Sequence, residues 1–176
     1  MQVELKANGK TVQVEMTEEQ AKILGLVEER SRTGYESVEV EETYYLVDVD
    51  DEITNMKHNG QLDRDCYDVG NYYSNKTIAE NNARADRLLR QLRQWQALND
   101  KSISEKDWND ESKKKWFVAY SYGAEKLYAD YYYIMRLPNT IYFATKEKAE
   151  EAIEVFKDEL IWYFTEYVQR LDEVQN

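Results

Sequence analysis

Asp48, Asp50, Asp51 and Glu52 fall within five residues, and carboxylates at that density could gather a divalent cation through oxygen ligands. A calcium loop, however, wants a turn glycine where Ile53 stands and a distal glutamate in register, so no metal is expected. His58 and Cys66 share one segment with Asp63, Asp65 and Asp68, which allows a Cys–His nucleophile pair to be drawn. Such pairs usually come from separate elements of a fold, and neighbourhood in sequence is not geometry. No Gly-rich loop leads from a strand into a helix, no Gly-x-Ser-x-Gly elbow occurs, and there is no second histidine. The expectation is a protein that is not an enzyme and carries no cofactor.

The carboxylates have another use. Glu36, Glu39, Glu41, Glu42, Asp48, Asp50, Asp51 and Glu52 flank one expected hairpin and could project along one edge. Charge on an edge strand prevents sheets from joining. The same row can stand in for phosphates and occupy a basic groove on a nucleic-acid-binding protein. The candidate partner-binding residues are therefore Glu39, Glu41, Glu42, Asp48, Asp50, Asp51 and Glu52, with Tyr128 and Tyr132 as aromatic contacts from a second hairpin.

Composition agrees with a binding role. The chain of 176 residues has 23 Lys+Arg against 35 Asp+Glu, a net charge of -12. That field opposes DNA, RNA or anionic lipid and favours a basic partner, although acidity also simply keeps a protein soluble. Hydrophobic residues make up 42%, with 15 Tyr and 4 Trp, so there is ample material for a core with aromatic rings at its edge or on a contact surface. A single Cys66 excludes an intrachain disulfide, and "MQVELKANGK" has no apolar leader core. No run approaches a membrane span, so a cytoplasmic protein of a reducing compartment is expected.

The elements that must position these residues follow from pattern. Val3 and Leu5, then Val12 and Val14, alternate around Asn8-Gly9, a type I′ hairpin signal. Thr17 and Gln20 form a capping box for a helix that Gly25 can close. Residues 26–42 read as a polar connector with a short strand near Val38 and Val40. A hairpin turning at Asp50-Asp51 follows, then a long loop over "KHNGQLDRDCYDVGN". A helix from about Asn75 to Asn99 shows Ile78, Ala85, Leu89, Leu92 and Trp95 near one face, and its Arg84, Arg87, Arg90 and Arg93 are expected to pair with carboxylates. After a charged connector comes a hairpin around Gly123, with Trp116, Val118 and Tyr120 on one face and a second strand ended by Pro138. A last helix from Thr145 carries Ala149, Ala152, Ile153, Phe156, Leu160, Tyr163, Phe164, Tyr167 and Leu171 in one stripe, widened by Ile161, Trp162 and Val168.

Two stretches say the same thing. "GNYYSNKTIAE" and "NTIYFATKEKAE" align at an offset of 70, matching Tyr72 with Tyr142, Tyr73 with Phe143 and Asn75 with Thr145. An aromatic strand end, a capping residue and a helix start are what a tight strand-to-helix junction needs, and each copy follows a hairpin. The fold expected is α+β: an N-terminal β-hairpin plus helix (residues 1–30), then two hairpin-strand-helix units (31–100 and 101–176), with small antiparallel sheets packed on long helices.

"VELKANGKTVQVEMTEEQAKILGLVEE", "RTGYESVE", "YDVGNYYSNKTIAE" and "TIYFATKEKAEEAIEVFKDELIWYFTEY" resemble uncharacterised small proteins encoded by phages and prophages of Gram-positive bacteria. The resemblance covers most of the chain and implies no catalytic residue. It implies a setting in which small acidic proteins inhibit host or defence machinery, as anti-CRISPR proteins do. The functional expectation is a phage accessory protein that binds a host or defence protein, a nucleic-acid-dependent nuclease among them, without direct contact to nucleic acid or membrane. The alternative is a structural or assembly protein that self-associates, as a homodimer or larger, through its aromatic surfaces.

Overall fold

A computed structural model of the chain describes residues 2–7, 10–24 and 32–173. The fold is α+β, in two compact units, Met1–Arg32 and Thr33–Asn176. In the first, β1 (Gln2–Ala7) and β2 (Lys10–Glu15) pair antiparallel with Ala7 opposite Lys10, the register of a two-residue turn. Helix α1 (Glu18–Ile23) starts on the expected box: Thr17 N–H donates to Gln20 Oε1 and Gln20 N–H to Thr17 Oγ1. Asn8-Gly9 and Gly25 lie outside the described residues.

The second unit holds β3 (Thr43–Val47), β4 (Ile53–Lys57), α2 (Gln61–Asp68), α3 (Lys76–Asn99), α4 (Glu105–Trp108), β5 (Lys115–Ser121), β6 (Lys126–Tyr132), α5 (Lys146–Val155), α6 (Lys157–Thr165) and a 3₁₀ turn, Leu171–Glu173. Strands β3 and β4 pair antiparallel, as do β5 and β6. The junctions are built alike. Tyr73 exchanges two backbone hydrogen bonds with Tyr45 of β3, and Phe143 does so with Trp116 of β5. Two residues later Asn75 and Thr145 each cap a helix, accepting from Ile78 N–H and Lys148 N–H. Tyr72 and Tyr142, one residue before the bridge, both turn a hydroxyl back to the chain, accepting from Val38 N–H and Leu137 N–H.

Helix α3 is the shared spine. Its first turns bury Ile78 and Ala79 with Tyr73 under Tyr45, Val47 and Ile53 of the first hairpin. Its middle buries Leu88 and Leu92 with Phe143, Ala149, Ala152 and Leu160, against Trp116, Val118, Leu127 and Ala129 of the second. The guanidinium of Arg84 grips Glu159 through two bonds of 2.8 and 2.9 Å and lies 3.9 Å over the Trp162 ring, tying α3 to α6. Arg87 and Arg90 pair with Asp51, as the arginine spacing led one to expect of carboxylate partners.

Four expectations need correction. Val38 and Val40 form no strand; instead Glu41 N–H bonds His58 O and His58 N–H bonds Glu42 O, prolonging the β3–β4 pairing past its ends. The loop after Lys57 contains α2, started by Gly60 and by the Asp63 carboxylate that reaches back to the Gly60 N–H. Strand β6 ends at Tyr132, well before Pro138, because the buried Lys115 ammonium takes the Tyr133 carbonyl and the chain bends. The last helix breaks at Phe156 (φ -111°, ψ 19°) and ends at Thr165. The break lets Ala149, Ala152 and Ile153 pack on β5 and β6 while α6 turns Leu160 to α3, and Val168 and Leu171 then cross to the first hairpin's core.

Among the described residues no helix is long and apolar enough to cross a membrane.

Candidate functional site

The first hairpin packs against α3 with one face and receives α2 on the other. Tyr44, fully buried, donates its hydroxyl to Asp63 Oδ1 at 2.7 Å. Asp63 is 2% exposed, and its Oδ2 accepts the N–H groups of Asn59 and Gly60, both at 2.6 Å. The Tyr44 bond and these N–H donors hold the Asp63 carboxyl below its ordinary range, while burial and the adjacent carboxylate push the Tyr44 hydroxyl up. His58 Nδ1 lies 3.7 Å from Asp63 Oδ2 and 3.5 Å from the Tyr72 hydroxyl, and the Tyr44 and Tyr72 rings stack at 4.2 Å. Cys66, half-buried on α2, neighbours Tyr44; no hydrogen bond joins it to His58 among the described residues. Every buried side-chain nitrogen and oxygen among them has a partner. Three of the roughly four acceptor sites of the Asp63 carboxylate are taken, two of them on Oδ2, and the cluster fastens α2 to the hairpin.

The acidic turn is likewise partly consumed. Asp48 Oδ1 accepts the N–H of Asp50 at 2.9 Å and of Glu52 at 3.3 Å, and Oδ2 takes the Thr54 hydroxyl at 3.1 Å. These bonds, that of Asp50 foremost, lower the Asp48 pKa. Asp51, at φ 63°, faces Arg87 and Arg90. Among the described residues no group of three His, Cys, Asp or Glu side chains is placed to hold a metal ion.

At the other end of β3, Glu42 accepts the N–H of Glu39, and Glu41, at φ 71°, gives its carbonyl to Lys57 Nζ. The series is thus divided between the two ends of a five-residue strand, about 16 Å apart, instead of forming one row along its edge. Glu39, Glu41, Glu42, Asp50 and Glu52 remain exposed, joined by Asp65 and Asp68 of α2, which sequence reasoning left in a loop. Four exposed apolar side chains, Val40, Val49, Tyr67 and Val69, lie in the same stretches. Residues 33–73 carry eleven Asp/Glu against Lys57 and Arg64, so -9 of the chain's -12 arises in this hairpin and α2.

Tyr128 and Tyr132 are on the second hairpin, in a different part of the unit. Tyr128 stands opposite Ala119 and is 37% exposed. Tyr132 is half-buried and stacks on Phe117 at 5.1 Å, in a series that continues edge-on through Tyr142 to Trp108. Beneath it Lys115, 1% exposed, donates to the carbonyls of Asp110 and Tyr133 and pins the segment after β6. That segment turns outward Tyr133, Ile134, Met135 and Leu137. The second strand of "ADYYYIMRLP" signalled these apolar residues; that they would be exposed on a backbone fixed from below was not signalled.

Comparison with known proteins yields no matching family model, no matching curated protein and no matching solved structure.

Proposed function

We propose that the chain is a non-enzymatic binding protein of the bacterial cytoplasm, phage-encoded, that inhibits a host or defence macromolecule by covering a basic surface on it. The observation that carries the reading is the concentration of charge in residues 33–73, where exposed Glu39, Glu41, Glu42, Asp50, Glu52, Asp65 and Asp68 lie next in the chain to exposed Val40, Val49, Tyr67 and Val69. Carboxylates that merely solubilise need no apolar side chains among them, whereas a contact surface uses charge to steer and apolar area to hold. Asp48 and Asp51 serve the turn itself and are left out of the contact set.

The immobilised protein should capture a basic, nucleic-acid-binding protein from host lysate at about 50 mM salt and release it at about 500 mM. Changing Glu39, Glu41, Asp50 and Glu52 together to lysine should abolish capture and leave the fold intact. Salt-insensitive capture of a non-basic partner, unaffected by those changes, would sink the reading.

Self-association is the second reading, favoured by the exposed Tyr133, Ile134, Met135 and Leu137, interrupted only by Arg136. Light scattering over a hundredfold range of concentration decides it: a strict monomer removes it.

A further inference from the structure

The two hairpin units differ at one pair of equivalent positions. In the first, two residues along β3 from the Tyr45–Tyr73 bridge, the Asn71 side-chain amide serves both backbone groups of Val47: Val47 N–H donates to Asn71 Oδ1 at 2.8 Å, and Asn71 Nδ2 donates to Val47 O at 2.7 Å. The free edge of β3 is closed there. In the second, Trp116 N–H bonds Phe143 O at 3.0 Å and Phe143 N–H bonds Trp116 O at 2.7 Å, the same bridge. Two residues along β5 stands Val118, and in the place of Asn71 stands Ile141, whose side chain has neither donor nor acceptor.

Backbone groups alternate in direction along a strand, so Val118 and Tyr120 turn N–H and C=O the same way as Trp116, away from β6. Among the described residues no hydrogen bond from outside the β5–β6 pair reaches them. The chain from Pro138 to Ile141, redirected at Asn139 (φ 57°), peels off β5. A cavity of about 410 Å³ opens alongside, floored by Leu88, Leu89, Leu92, Leu160 and Phe164 and lined by no charged side chain.

The geometry points to strand addition: the edge of β5 at Val118–Tyr120 accepts one extended, uncharged segment of a partner protein, whose backbone pairs with β5 and whose alternate apolar side chains enter the cavity. A small apolar ligand would fill the cavity but cover the Val118 and Tyr120 groups without bonding them, which a strand does not. A second copy is the poorer occupant. Its β6 edge spends Leu127 and Ala129 on its core and turns Lys126 and Asp130 to the other face, and pairing through either β6 or β5 brings together two chains of charge -12. The slot lies outside residues 33–73, so it stands or falls independently of the acidic surface.

The test is a titration of the ¹⁵N-labelled full chain with the uncharged peptide acetyl-Gln-Thr-Val-Phe-Val-Thr-Gln-amide and two N-methylated versions, one methylated at both valines and one at the phenylalanine and threonines. The parent should shift the Val118 and Tyr120 amide signals, and one methylated version alone should bind at least about tenfold more weakly, because only one set of N–H groups faces β5. Ile141→Asn, which rebuilds the amide clasp, should weaken the parent at least tenfold. Leu89→Trp, which fills the cavity from α3, should do the same should the first variant fail to fold. Equal binding of all three peptides, undiminished binding by the folded variants, or no shift of either amide up to about 1 mM peptide overturns the proposal.

Discussion

Gly34 is held at φ 97°, and a Cβ built on it would lie 2.8 Å from Ile78 Cγ1. Both the left-handed backbone and the contact with the first turn of α3 demand glycine. Gly34→Ala should cost about 2–3 kcal/mol, read as a lower urea midpoint with an unchanged slope. Two residues on, the Glu36 carboxylate accepts the N–H and hydroxyl of Thr33, the N–H of Gly34 and the Ser74 hydroxyl. Partial burial opposes its ionisation, but these donors prevail and hold its pKa down to about 2 from an ordinary 4.5. Because the folded value is the lower, its stabilisation is full above pH 4.5 and drains away as pH falls towards 2. Urea midpoints of the wild type and Glu36→Gln should therefore differ at pH 7 and converge near pH 2. The Thr33 and Gly34 donors to Glu36 are local, but the Ser74 bond and the Gly34 contact were not legible in "RTGYESVE", which reads as a polar connector, because Ser74 and Ile78 lie some forty residues away. Asp51 illustrates the same limit: a carboxylate in an acidic turn cannot be known as spent until Arg87 and Arg90 are brought to it.

The junctions, by contrast, could be read, since a strand end, a cap and a helix start are local chemistry. Asn75→Ala and Thr145→Ala should each cost about 1 kcal/mol, and Asn75→Asp should keep most of the cap, as denaturant titration would show. Helix α2 was missed because Asn59, Gly60 and Asp63 carry loop composition, and the Asp63 carboxylate that starts the helix is held in place by a tertiary bond from Tyr44. Tyr44→Phe deletes that donor and leaves the Asp63 carboxylate in a buried place with one partner fewer. Amide exchange along α2 should accelerate markedly in this variant while that of α5 stays unchanged. Equal acceleration in both helices would mean that Tyr44 supports the whole unit and not α2 in particular. The last helix failed in the opposite way: its apolar stripe was read correctly, but one stripe serves two clusters, and only the break at Phe156 lets it do so.

Across the molecule, charge and core are distributed differently. Residues 33–73 carry -9, whereas residues 113–143 hold five Lys/Arg against two Asp/Glu, so the second hairpin is the less acidic face on which an uncharged strand would meet little field. The core is not so divided, because α3 lies under both hairpins and α6 sends Val168 and Leu171 back to the first. Residues 33–176 should therefore unfold in one step although they contain two similar hairpin units. All four tryptophans, Trp95, Trp108, Trp116 and Trp162, are in the second half, far along the chain from Gly34. Gly34→Ala should nevertheless shift the tryptophan fluorescence transition as far as it shifts the helical circular dichroism, and Leu92→Ala should move both together by a further amount, about 2–5 kcal/mol. Fluorescence that ignores Gly34→Ala would show that the duplicated units fold separately, each on its own half of α3.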